Sequence, residues 1–292
     1  MLHTLQNEIL KISVADRGAE LKSITALSDG TEYLFDSDPT WWKYSSPVLF
    51  PIVGKVKGGK YRAEGKEFEM GQHGFARTSD FWLVDAAPDS ITFALESNAA
   101  TLAVYPYRFR LEISFKLIGN EVKVLWKVAN IDDKEIYFSI GAHPAICCPI
   151  SYRENFTDCY LKFNQSEKSA RLPLAADGTL THERIPTLDG TELNLNYEIF
   201  KGDALVIDDL KSDEVSVCSR KSSKSLTVRA KNFPYWGFWT PAQGGAPFVC
   251  IEPWLGHADY EDFSGELKDK EGIIKLSVNE TYQAEMSFII NN

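Results

Sequence analysis

The chain has 292 residues, 44% of them hydrophobic and 25% charged, a composition that supplies a substantial apolar core in an ordinary globular protein. Its formal net charge of −10 removes the favourable phosphate contacts that nucleic acid or an anionic membrane would need, so neither is expected as a partner and a small molecule is. Five cysteines, of which only Cys147 and Cys148 are adjacent, make neither a disulfide framework nor a C-x-x-C metal pattern.

Residues 1–20 lack the basic start and continuous apolar stretch of a secretory signal, and no membrane-length apolar run follows, so a cytoplasmic location is expected. The N-x-S/T sequences at Asn155, Asn164 and Asn279 then read as chance, since glycosylation requires a secreted chain. Turn chemistry begins at Asp29-Gly30 and continues at Gly58-Gly59, Asp177-Gly178, Asp189-Gly190 and Gly244-Gly245. Between the turns lie runs with the period-2 alternation of half-buried strands: ITFAL at 91–95, KLSV at 275–278 and YQAEMSFII at 282–290. The clearest is a hairpin, with Leu111, Ile113, Phe115 and Leu117 on one arm and Val122, Val124, Trp126 and Val128 on the other, turning at Gly119-Asn120. No long amphipathic helical pattern competes, and the stretch from Ser219 to Ser225 reads as a solvated loop. The expectation is an all-β, antiparallel fold in a single domain over residues 1–292.

Phosphate-loop, dinucleotide, zinc-protease and nucleophile-elbow motifs are all absent. The histidines at 3, 73, 143, 182 and 257 show no metal-ligand spacing, so no metal is expected. Three clusters remain: GQHGFAR at 71–77, IGAHPAI at 140–146 and IEPWLGHAD at 251–259. His143 and Glu252 each precede a proline, which disfavours the helical region and predicts extended backbone. Such placement suits acid–base work, although either dipeptide can equally be a strand end with its polar group in water. His73 precedes Gly74, where close approach of backbone or ligand is permitted, and it can equally be a satisfied core histidine. In FPYWGFWTP at 233–241 most aromatics read as core, with Trp239, together with Trp254, taken as pocket residues because rings with polar handles complement sugar faces. Lys55, Lys57, Lys60 and Arg62 surround the Gly58-Gly59 turn, either as a phosphate site or as a solvated hairpin.

Together these clusters resemble the aldose 1-epimerase (mutarotase) family, and within it the LacX-like branch. The likeness runs through RGAELKSI (17–24), DGTEYLF (29–35), SPVLFPIVGKV (46–56), GQHGFAR, IGAHPAI, GDALVI (202–207) and VCIEPWLG (249–256). The resemblance implies a galactose mutarotase-like β-supersandwich of large antiparallel sheets, with the sugar site in an open cleft and no cofactor. It implies that Glu252 is the general base, that His143 is the general acid facing the ring oxygen, and that His73 assists there. Asp203 resembles the carboxylate that holds sugar hydroxyls, and Arg77 joins the substrate-binding candidates. Lys55 stands where relatives commonly carry arginine, keeping the charge but losing the planar fork of donors. The implied activity is interconversion of the α and β anomers of a hexose or hexose phosphate by a monomer or homodimer. A non-catalytic carbohydrate-binding or regulatory protein on the same fold is one alternative. A glycosidase or lyase acting on polysaccharide is another, and it would need a second carboxylate, Asp203 or Asp259, facing Glu252.

Overall fold

In the computed structural model, which describes residues 1–291, the alternating hairpin is the centre of the largest sheet. Phe109–Ile118 and Glu121–Asn130 pair antiparallel, with Ile113 opposite Trp126 and Phe115 opposite Val124. All four lie on one buried face, because side chains two apart on a strand point the same way. Thr281–Asn291 continues the sheet on one side, pairing Val124 with Met286 and Val122 with Phe288. Ser90–Glu96 continues it on the other. In spatial order the nine strands are Ile185–Asn194, Cys159–Arg171, Glu214–Ser219, Ser225–Arg229, Thr281–Asn291, Glu121–Asn130, Phe109–Ile118, Ser90–Glu96 and Trp82–Ala87.

Two expectations change. KLSV yields only the short strand Ile274–Leu276, paired with Ile136–Phe138. Asp189-Gly190 is not a turn. Both residues lie inside Ile185–Asn194, where the facing strand shifts register between Lys162 and Glu167, and Gly190 with φ 106° absorbs the resulting bulge.

A second sheet packs against the buried face of the first and contains Leu205–Ile207, Tyr235–Trp239, Phe248–Leu255, Ile140–Ala142 and Val48–Leu49. Every residue of Phe248–Leu255 is buried. Alternation divides them: Val249, Ile251 and Leu255 join the core between the sheets, which runs from Leu5 to Ile290. Phe248, Cys250 and Trp254 pack into two smaller clusters on the outer face. A three-stranded sheet, Leu2–Gln6, Leu10–Ala15 and Glu20–Ala26, flanks this sandwich. The α-helix Ala99–Val104 is short and capped by Asn98, and no helix among the described residues is long and apolar enough to cross a membrane.

Beyond the second sheet a buried ion pair fixes the loop that carries Lys55. Lys270 Nζ lies 2.5 Å from Asp259 Oδ1, and both side chains are 3% exposed. The other carboxylate oxygen accepts the Lys57 backbone N–H at 2.9 Å, and the Asp259 N–H donates to the Lys55 carbonyl at 2.9 Å. Removing one member of such a pair leaves the other charge buried and uncompensated. Lys270→Ala is expected to lower unfolding stability by about 3–5 kcal/mol in urea denaturation, and a loss below about 1 kcal/mol, the scale of an exposed pair, would contradict this account.

Candidate functional site

The outer face of the second sheet forms the floor of a cleft of about 590 Å³, within the range of small-molecule sites. Its lining includes Glu252, His143, His73, Asp203, Lys55, Arg77, Trp239 and Trp254. These eight of the residues weighed from sequence therefore meet in one place, although they lie between positions 55 and 254 of the chain.

Strand pairing produces the central contact. Phe248–Leu255 pairs with two successive segments in one continuous register: Ile140 with Leu255 and Gly141 with Trp254, then Ala145 with Cys250 and Ile146 with Val249. That register sets His143 opposite Glu252, at the break between the two segments. Pro144 accepts from the Ile251 N–H at 3.3 Å but has no N–H to return, and Pro253 lacks its donor beside the same break. Between these two prolines His143 Nε2 approaches Glu252 Oε2 to 3.1 Å. The angle is not that of a formed hydrogen bond, and both Glu252 Oε2 and His143 Nδ1 are buried without hydrogen-bond partners.

Burial governs how these groups ionise. The Glu252 carboxyl is pushed well above its ordinary range, first by desolvation and then by the Asp203 charge. His143 is pushed down to about 3, first by desolvation and then by the Arg77 guanidinium. Both shifts favour the uncharged form, so the pair rests as a carboxylic acid beside a neutral imidazole. Cys250, two residues before Glu252 on the same face, brings its sulfur to within 4.8 Å of the ligand atoms of both residues. Burial keeps that thiol protonated, and the sequence spacing gave no sign of this cluster because it forms across strands.

His73 adopts a left-handed backbone with φ 65°, a sparsely populated region for a side chain of this size. It is held there by two reciprocal bonds: its N–H donates to the Gly54 carbonyl at 2.8 Å, and the Gly54 N–H donates to His73 Nδ1 at 3.1 Å. A backbone N–H can only donate, so Nδ1 carries no proton and the tautomer has Nε2–H. Burial, reinforced by His143, Arg77 and Lys55, holds His73 well below its ordinary value, making it a neutral donor. Gly74 is required beside it: a Cβ there would lie 2.2 Å from the Phe50 carbonyl oxygen.

The remaining candidates have distinct environments. Asp203, also at positive φ (75°), is exposed on the cleft rim and caps the Ala204 N–H at 2.8 Å. Lys55 spans the cleft wall and donates to the Asp177 carbonyl at 3.1 Å, so the Asp177-Gly178 turn borders the site. Arg77 donates to the Gln72 carbonyl at 2.7 Å and lies over Tyr44. The lysines around Gly58-Gly59 do not converge: Lys60 pairs with Glu67 at 2.7 Å and Arg62 donates to the Ser264 carbonyl, leaving Lys55 as that run's contribution to the cleft. Asp259 belongs to the Lys270 pair and does not line the cleft, so of the two carboxylates considered as partners for Glu252 only Asp203 does. Trp41 and Trp42 were not singled out. Trp42 stacks on the His143 ring with centroids 4.6 Å apart, and Trp239 meets the same ring edge-on at 5.8 Å. Two consecutive tryptophans in the otherwise polar loop DPTWWKYSS were the available signal.

The depressed His143 value has a consequence for stability. Unfolded, this histidine takes up a proton near 6.5, and folded only near 3. Between those values the unfolded chain binds more protons, so stability falls as pH drops through the window. Acidification from pH 7 to pH 5 is expected to remove about 2 kcal/mol through this residue, an increment that His143→Asn loses. Urea midpoints at the two pH values test this, and equal acid sensitivity of the two proteins would refute it.

Comparison with known proteins places this geometry in a family. The family model described as Aldose 1-epimerase matches residues 1–275. The chromosomal LacX protein of Lactococcus lactis subsp. lactis is 34% identical over 298 residues, covering 99% of each chain. A galactose mutarotase related enzyme from Lactobacillus acidophilus superposes with a TM-score of 0.94 at 32% identity, covering 100% of this chain and 98% of its own. A galactose mutarotase-like protein from Lactobacillus casei superposes with a TM-score of 0.92 at 29% identity, with 100% of both chains covered. The fold is thus the mutarotase-like sandwich of large antiparallel sheets, and the chain belongs to the aldose 1-epimerase family.

Proposed function

We propose that the protein is an aldose 1-epimerase that interconverts the α and β anomers of a hexose or hexose phosphate, with Glu252 as general base and His143 as general acid. The observation that carries this reading is the buried His143–Glu252 contact of 3.1 Å on the cleft floor. Family membership supports the reaction type.

The chemistry uses one mobile proton on the pair. In the reactive arrangement Glu252 is ionised and His143 is protonated, and hydrogen bonds from sugar hydroxyls offset the cost of the buried charges. Glu252 takes the anomeric hydroxyl proton, the C1–O5 bond breaks as C1 becomes an aldehyde, and His143 delivers its proton to O5. Both groups are then neutral, which is the state burial favours. The desolvation that strengthens Glu252 as a base therefore also strengthens His143 as an acid, and both effects drive ring opening. Rotation about C1–C2 followed by the reverse transfers closes the ring on the other aldehyde face. His73, fixed with Nε2–H, donates to the sugar without titrating. Lys55, Arg77 and Asp203 hold hydroxyls or a phosphate, and Trp42 and Trp239 keep the His143 ring in place.

Anomer exchange followed by proton NMR with glucose, galactose and their 6-phosphates tests the assignment. Glu252→Gln and His143→Asn are each expected to reduce kcat by ~10²–10⁴. Saturable sugar binding without exchange in the wild type would replace the enzyme with a sugar-binding protein on the same fold.

A further inference from the structure

Trp254, expected to line the pocket as a sugar contact, is 5% exposed, and the neighbouring strands are shaped around it. Gly141 is its direct partner on one side, and a Cβ there would lie 2.7 Å from the indole Cδ1. On the other side Gly237 is the partner of Glu252, and a Cβ there would lie 2.5 Å from both Cζ2 and Cη2 of the same indole. The ring thus lies diagonally over the sheet, from the strand beside Trp254 to the residue opposite Glu252. Any larger side chain at either glycine would displace it. Glu252 and Trp254 are two apart on one strand and project from the same face.

Two buried polar atoms are left over on this face: the indole Nε1–H of Trp254 and Oε2 of Glu252, neither with a hydrogen-bond partner. A buried N–H without an acceptor is costly unless the site uses it. Indole N–H is a donor only, so its natural complement is a carboxylate.

We propose that Trp254 is a positioning residue whose indole N–H, clamped between Gly141 and Gly237, stabilises the ionised form of Glu252 and so raises the share of the His143–Glu252 pair poised as carboxylate and imidazolium. This goes beyond the proposed epimerase reaction and rests on it only for the catalytic consequence. Of the titratable groups facing Glu252, His143 at 3.1 Å and Cys250 rest uncharged, desolvation and the Asp203 charge raise its pKa, and the Trp254 N–H is the opposing influence. A hydrogen bond to an ionised acceptor is stronger than one to a neutral acceptor, so the indole favours deprotonation just where burial resists it.

The test begins with a measurement that needs neither turnover nor a new variant at Trp254. In protein labelled with ¹⁵N at its seven tryptophans, one indole N–H resonance is expected to move downfield as Glu252 ionises, with a midpoint above the usual carboxylate range. Glu252→Gln should abolish that movement, and Trp254→Phe should remove the resonance itself. In exchange kinetics Trp254→Phe should lower the kcat plateau roughly tenfold and displace its alkaline limb upward by about one pH unit, with KM changed less than about twofold. In the Glu252→Gln background the same substitution should add no further loss, since the two groups act as a unit. The absence of any Glu252-dependent indole titration overturns the proposal even if Trp254→Phe fails to fold. An indole that titrates as proposed in a protein without exchange activity upholds it while removing the epimerase reading.

Discussion

A strand buried on both faces is the constraint on which the rest of this molecule depends. Phe248–Leu255 packs Val249, Ile251 and Leu255 into the core between the two large sheets while its other face carries Phe248, Cys250, Glu252 and Trp254 beneath the cleft. The period of two makes this division automatic. A slip of one residue against its neighbours would drive a carboxylate into the hydrocarbon core and turn isoleucine toward the cleft. The register is therefore defended by the whole sandwich, and the site inherits that rigidity. The prolines at 144 and 253 use the same constraint in reverse. Each withholds one donor from the ladder, and the break between them is where His143 sits beside Glu252.

Placing ionisable groups on such a strand is unfavourable in isolation. A carboxyl that resists ionisation and two imidazoles that resist protonation each weaken the folded state over some range of pH. Extensive apolar burial in the sandwich offsets these penalties. In the proposed reaction the pair's preferred neutral states lie on the product side of proton transfer. The Asp203 charge adds to the effect on Glu252, so the cleft rim influences the reactivity of its floor.

The cleft walls are loops, and each is anchored by a specific device. His73 is locked into a left-handed conformation by reciprocal bonds with Gly54. The Lys55 segment is tied through Asp259 to Lys270. Trp42 is seated on His143. These anchors do the work that main-chain pairing does for the floor, because loops lack a ladder of their own and would otherwise sample many conformations.

Local chemistry explains how much could be read directly from the residues. The alternation in 109–130 identified strands and their buried faces, because a strand's side-chain period is written in every second residue. The pre-proline positions of His143 and Glu252 predicted extended backbone, because the proline ring acts on its own neighbour, and the glycine after His73 marked the close approach to Phe50. Signals failed where the deciding partner is far away in the chain. Gly190 has turn chemistry but serves a bulge set by the strand opposite. Asp259 resembles a catalytic carboxylate but is claimed by Lys270. Lys60 and Arg62 share one exposed strand face and are taken up there by Glu67 and the Ser264 carbonyl, away from the cleft. Trp42, Cys250 and the glycine clamp around Trp254 carry no periodic mark at all. The sequence by itself determined an all-β chain with a short set of acid–base candidates, two of them, His143 and Glu252, held out of helical backbone by the prolines that follow. Only the tertiary structure decided which of them touch, which tautomer His73 holds and which charges burial suppresses, since contact and desolvation depend on strands brought together across the whole chain.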